Sequence, residues 1–268
     1  MVPLLLINPL SGQRMRRPLQ EEVAEAVKDG MVFWVASHGG VGSNSFARYF
    51  ESLGARVGTS HWRSSLCHAP HPVAVSKPTK LRLAVYLYGS PLEAMCSMKK
   101  RGLGLQNLKK LTHAVSERAL FYSDAALVEA MYWQFKNWTA LSASAAKAAY
   151  GFPVLRIKYA HAHAPSCISR IASSLQVVDQ GTHRPTRLRS NHDACVGELL
   201  ASLPPEHLAM AQEMDGFVGD CGGTPSPPLA VLLAVALLLL MAVYALVLRL
   251  WDKDRDRGRD KDRDRKRE

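Results

Sequence analysis

The residues in this sequence best suited to chemistry are the cluster His38, Gly39, Gly40, Gly42, Ser43, Asn44 and Ser45. A glycine-rich turn that opens a helix points backbone N–H groups outward, and these hold phosphate or sulfate oxygens without help from any particular side chain. His38 beside the glycines, and His68 farther along, are the candidate general bases, because imidazole gains and loses a proton near neutral pH. Other histidines gather at 61 and 71 and at 161 and 163. No acidic or cysteine partner stands at ligand spacing around the first group, and His161, His163 with Cys167 are three possible ligands without a fourth, so the segments read as a loop and as a loop and helix start, and no metal is expected. The five cysteines at 67, 96, 167, 195 and 221 lack CxxC spacing and are odd in number. They suggest neither a metal site nor a disulfide framework, which agrees with a reducing compartment.

The elements that must position the cluster follow from periodicity. Residues 31–36 form a short apolar run of strand character, and Phe46, Tyr49, Phe50 and Leu53 recur at helical spacing after the glycines. A helix is predicted within 11–30, ending at Gly30. Residues 56–58 begin a short second strand, and 61–78 form a loop. Residues 81–87 are the next strand, followed by Ser90-Pro91-Leu92-Glu93, a capping box with proline at the first helical position. Lys99, Lys100 and Arg101 suit the last turn of that helix, and Gly102 stops it. Helices over 108–115 and 124–150 come next, the second carrying Tyr132, Trp133, Phe135 and Trp138 as core and cleft wall rather than as a base-stacking platform. The triplet Asn137-Trp138-Thr139 matches the acceptor pattern for asparagine glycosylation, but it falls inside this predicted helix and is read there as helix. A strand over 154–159, a helix over 165–175, a basic loop over 183–189 and a helix over 198–214 complete the domain. Strands alternating with helices predict an α/β fold, a mainly parallel sheet with helices on both faces, and ligands beyond the carboxyl ends of its strands.

Composition divides the chain. Residues 229–248 are twenty consecutive residues without a charge, long enough to span a bilayer core of roughly 30 Å as a transmembrane helix. A Gly/Pro linker at 222–228 precedes this segment, leaving 1–221 as the globular domain with a core of 31–180. After it, residues 249–268 carry ten Lys/Arg and seven Asp/Glu in near-alternation, a solvated tail without an apolar face. The net charge of +11 therefore falls as +3 on the tail and +8 on the remainder. A basic domain suits an anionic ligand or an acidic membrane surface; the mixed tail disfavours nucleic acid as a partner. The positive-inside rule would place the tail in the cytosol and the domain in a lumen. Residues 1–10 make a poor signal sequence, being short, proline-containing and without a basic start. The sequence reading is therefore a single-pass, tail-anchored protein with its domain in the cytosol, the lumenal arrangement being the alternative.

The Walker pattern is unmet, since Gly39 and Gly42 are too close and no lysine precedes Ser43. Over roughly residues 31–180 the order of elements resembles the P-loop sulfotransferase family, which moves a sulfuryl group from 3′-phosphoadenosine 5′-phosphosulfate (PAPS) to a hydroxyl or amine. Three places carry the resemblance. Val41-Gly42-Ser43-Asn44 stands where the family grips the 5′-phosphosulfate. Gly89-Ser90-Pro91 with Ser97 keeps the family's proline-to-serine spacing at the 3′-phosphate, and residues 155–159 followed by a helix are similar to its third strand. The chain departs from the family in having Gly40 in place of a lysine, Gly89 in place of an arginine and Ala160 in place of a glutamate. The resemblance implies a P-loop three-layer sandwich, with Gly39, Gly40, Gly42, Ser43, Asn44, Ser45 and Ser97 binding PAPS. Positive charge would come from Lys99, Lys100 and Arg101, or from Arg187 and Arg189 in the basic loop. His38, then His68, would serve as base. The rival expectation is an inactive domain of the same shape that binds a partner or anionic lipid at the membrane.

Overall fold

The computed structural model of the chain describes residues 19–58, 64–75, 80–112, 122–179, 181 and 192–221. All of these lie within one compact unit, Met1–Gly222. Three strands, β1 (Phe33–Ser37), β2 (Leu83–Tyr88) and β3 (Val154–Lys158), form a parallel sheet in the order β1-β2-β3. The register sets Phe33 beside Leu83, and Ala84 beside Val154. Every residue of β1 and β2 is buried, so both faces of the sheet are covered, as an all-parallel sheet requires.

Alternation along the strands decides what covers each face. Trp34, Tyr86 and Tyr88 project to one side and meet Trp138 and Phe135 of helix α6 (Asp124–Thr139), with Trp34 and Trp138 edge to face at 4.9 Å. On the other side Phe33 packs edge to face on Phe50 of α2 (Ser43–Ser52) at 5.2 Å. Helix α8 (Pro165–Leu175) also packs against β2, burying Ile168, Ile171 and Leu175 at the spacing the sequence set out. The remaining helices among the described residues are α1 (Leu19–Lys28), α3 (Ser64–Cys67), α4 (Pro91–Lys100), α5 (Gly104–Leu111), α7 (Ala143–Tyr150), α9 (Asp193–Ser202) and α10 (Pro205–Gly216).

Several details differ from the sequence reading, each for a local reason. The helix expected over 124–150 is two helices, because Ser142 leaves helical geometry and its hydroxyl accepts the Ala145 N–H to start α7. The helix expected over 198–214 is likewise divided, with Pro205 at the first position of α10. Trp133 is no part of the core or a cleft wall; it is 54% exposed on the outer side of α6.

The cysteines require the largest correction. Cys96 on α4 is bonded to Cys195 on α9, and Cys167 on α8 to Cys221. The odd count is two bridges plus the buried free thiol of Cys67. Pairings across 99 and 54 residues leave no local spacing to read, which is why the sequence suggested no framework. The second bridge ends a strap, residues 217–221, that crosses the open side of β3. There the Arg156 N–H and Nε donate to Asp220 Oδ2 at 2.7 and 3.0 Å, and Nη2 donates to Oδ1 at 2.7 Å. The Asp220 N–H returns to the Arg156 carbonyl at 2.6 Å, so the edge strand is paired rather than exposed.

The predicted linker at 222–228, the apolar segment 229–248 and the tail 249–268 lie outside the described residues, as do residues 1–18, His61 and the basic loop with Arg187 and Arg189. Among the described residues no helix is long and apolar enough to cross a membrane.

Candidate functional site

Topology singles out the carboxyl end of β1. After α2 the chain makes a single parallel bridge from Val57 to Phe33 on the flank of β1 away from β2, in place of the short second strand expected at 56–58. It then crosses to form β2 on the opposite flank. Successive connections leave β1 in opposite directions, and the carboxyl end of β1 is where an open α/β sheet opens to a ligand. The residues there are Ser37 to Gly42.

The glycine turn is held on three sides. Gly40 has φ +71°, and a Cβ on it would lie 2.4 Å from the Ala94 carbonyl oxygen of α4. Gly42, with φ +76°, would place a Cβ 2.7 Å from the Tyr159 hydroxyl at the end of β3. A Cβ on Gly89, at the end of β2, would stand 3.1 Å from Val41. The exits of all three strands thus converge, and Tyr159 lies beside both the β1 and β2 loops. A side chain at Gly40 would run into the α4 backbone, so the turn leaves no room for a lysine there.

Helix α2 begins from this turn without a side-chain cap and with no acidic residue in its first turn. Its first intrahelical bond runs from the Phe46 N–H to the Gly42 carbonyl at 3.2 Å. The N–H groups of Ser43, Asn44 and Ser45 precede that bond and have no partner among the described residues. Gly42, Asn44 and Ser45 are exposed, whereas the Ser43 hydroxyl turns inward. It accepts from Ser37 Oγ at 3.0 Å and lies 3.4 Å from Cys67 Sγ, while Ser37 Oγ accepts the Gly39 N–H at 3.2 Å. Of the predicted anion ligands, the main chain of 42–45 is therefore presented, and the Ser43 hydroxyl instead fixes the turn.

The two histidines behave differently. His38 is fully buried; its Nε2 accepts the Gly89 N–H at 3.4 Å, which leaves Nδ1 to donate to the Gly39 carbonyl at 3.0 Å. It ties the β1 loop to the β2 loop, and burial lowers its pKa to about 4. His68 is partly exposed, and its ring stands against Gly39. Its Nδ1 lies 3.1 Å from the Ser37 carbonyl, and donation there fixes the tautomer with Nε2 as the free lone pair. Burial, and after it the positive charge of Lys110, hold its pKa down at about 4; Arg101 acts in the same direction. Both rings are neutral at pH 7.

Further residues complete the wall without having been singled out in the sequence. Gln134 of α6 donates to the Ser37 carbonyl at 3.2 Å and to the Ala69 carbonyl at 2.8 Å, joining the β1 loop to the chain after α3. Lys110 on α5 acts electrostatically on His68 and on Cys67, whose thiol burial pushes up. Nothing in the local sequence of α5 marks this lysine, since only the tertiary fold brings it within electrostatic range of these two side chains. Ser97 lies partly buried on α4, one turn beyond Ala94, where its carbonyl accepts Arg101 Nε at 2.9 Å. Lys99 points elsewhere, pairing with Asp124 at 2.9 Å. Among the described residues no group of three or more His, Cys, Asp or Glu is placed to hold a metal ion.

The chain matches no protein-family model, no curated protein and no solved structure.

Proposed function

We propose that the domain is a P-loop-like three-layer α/β sandwich that binds a phosphosulfate nucleotide at the start of α2 and transfers its sulfuryl group to a hydroxyl or amine acceptor, at a membrane to which residues 229–248 anchor it. The observation that carries this reading is the uncapped, acid-free first turn of α2 at the sheet's switch point, flanked by the β2 and β3 exits. Three N–H donors and the positive end of a ten-residue helix there favour an anion.

In this scheme the N–H groups of Ser43, Asn44 and Ser45 hold the 5′-phosphosulfate and Ser97 contacts the 3′-phosphate, as the sulfotransferase resemblance implies. An acceptor oxygen or nitrogen attacks sulfur in line. A bond from the acceptor to sulfur forms as the bond from sulfur to the phosphate oxygen breaks, and 3′,5′-ADP leaves with the electron pair. The acceptor proton goes to His68 Nε2, while His38, with both nitrogens bonded to backbone, holds the loops in register. Lys110 and Arg101 supply positive charge near the leaving phosphate in place of the lysine that Gly40 replaces.

The inward Ser43 hydroxyl and the closed space at Gly40 favour a second reading, in which the same site binds an anion without turning it over. The two disulfides support the lumenal arrangement over the cytosolic one, because such bonds persist in oxidising compartments. A thermal-shift series on the full chain in detergent tests these readings together. PAPS and 3′,5′-ADP should each raise the melting temperature more than ATP or soluble phosphoinositide headgroups do. Release of 3′,5′-ADP from PAPS with an acceptor mixture supports transfer, stabilisation by a nucleotide or a headgroup without release supports the second reading, and the absence of any effect from nucleotides and headgroups alike rejects both.

A further inference from the structure

Helix α6 carries a feature that nucleotide binding does not use. Asn137-Trp138-Thr139 is the only N-x-S/T triplet in the chain, and it occupies the last turn of α6. Trp138 is buried against Trp34 and Tyr86, whereas Asn137 faces solvent. One of its two Nδ2 protons is donated to the Pro70 carbonyl at 3.2 Å, so the other is available for substitution without loss of that bond. Four residues earlier on the same helical face stands Trp133, the α6 aromatic left 54% exposed. Side chains on a helix lean toward its N-terminus, so a group attached to Asn137 would lie over the turn that carries Trp133. The two disulfides independently point to a compartment in which asparagine glycosylation takes place.

We propose that Asn137 is N-glycosylated and that the glycan covers the exposed Trp133 face of α6. In the transfer, Nδ2 forms a bond to the anomeric carbon of a lipid-linked oligosaccharide pyrophosphate. The carbon–oxygen bond to the pyrophosphate breaks, the lipid pyrophosphate leaves, and one Nδ2 proton is lost. The Thr139 hydroxyl is committed to the Phe135 carbonyl at 2.7 Å in the finished helix, so the acceptor is used before α6 closes. The proposal concerns a face remote in role from the glycine turn and stands independently of the nucleotide reading.

The test is expression of the full chain in cells with a glycosylating secretory pathway, with gel mobility compared before and after peptide N-glycanase. A single glycan's mobility shift is expected in the wild type and in Thr139→Ser, and its loss in both Asn137→Gln and Thr139→Ala. Mobility is read on denatured chains, so a folding defect in one variant does not imitate the result. A wild type that does not shift, or a shift that survives both Asn137→Gln and Thr139→Ala, overturns the proposal. Thiol alkylation of the same samples sorts an unshifted wild type: bridged cysteines would mean that the acceptor is unused, and five free thiols would remove the compartment argument as well.

Discussion

Two of the strand-to-helix junctions of this fold, β1 into α2 and β2 into α4, have the same architecture and opposite chemistry. At the second, Pro91 occupies the first helical position, the Ser90 hydroxyl accepts the Glu93 N–H at 3.5 Å, and Glu93 adds an acid to the first turn. That helix meets the electrostatic needs of its own N-terminus. At the first, Gly42 starts α2 from a left-handed conformation with no side-chain cap and no acid. The N–H groups of Ser43, Asn44 and Ser45 there have no partner among the described residues. The proposed anion site rests on this difference between a capped and an uncapped helix start, and changes at each should have different consequences.

The largest effect is expected from Gly40→Lys, which introduces a lysine at the position where the proposed resemblance would have one. A side chain there meets the Ala94 backbone and a left-handed φ, so stability should fall by about 3–5 kcal/mol in a urea titration and nucleotide binding should not improve. A stable, tighter-binding variant would show that the turn is not sealed by α4. Removing the Cys96–Cys195 bridge as the double serine variant frees α4 from α9 and should cost about 2–5 kcal/mol, read in the same titration.

Acid should act through the first junction. The pKa of His38 falls from 6.5 in the unfolded chain to about 4 in the folded one, so between those values the unfolded state binds more protons. Stability is full above pH 6.5 and declines as pH falls toward 4, by about 3 kcal/mol for this group. In His38→Asn that slope should flatten in melts taken between pH 4 and 7. An unchanged slope would mean that His38 is not the buried tie between the loops. The smallest effect is expected from Ser90→Ala, a lost cap worth about 1 kcal/mol with nucleotide affinity unchanged.

Much of this contrast was legible in the sequence. The capping box at Ser90 and Glu93, the glycine turn and all three strands follow from local patterns, because each depends on residues within one turn or one short run. The site's polar wall was not legible in the same way. Gln134 reaches the β1 loop, and Lys110 comes within electrostatic range of His68, only through the packing of α6 and α5, and the tie from His38 to Gly89 spans 51 residues. The disulfides lay further out of reach, since their partners are set by where α9 and the strap at 217–221 come to rest. The strap itself depends on the Arg156–Asp220 pair. Burial alone would raise the Asp220 pKa, but its hydrogen bonds to Arg156 outweigh that and hold the carboxylate below its usual range.

The central claim is that the uncapped start of α2 is the nucleotide site. Calorimetric titration of 3′,5′-ADP into the full chain in detergent, with Gly42→Val and Ser90→Ala in parallel, tests it most directly. The account predicts saturable binding for the wild type and for Ser90→Ala, and loss of binding for Gly42→Val, whose side chain would meet the Tyr159 hydroxyl and close the turn. No heat of binding at millimolar nucleotide, or equal binding by Gly42→Val, would contradict it.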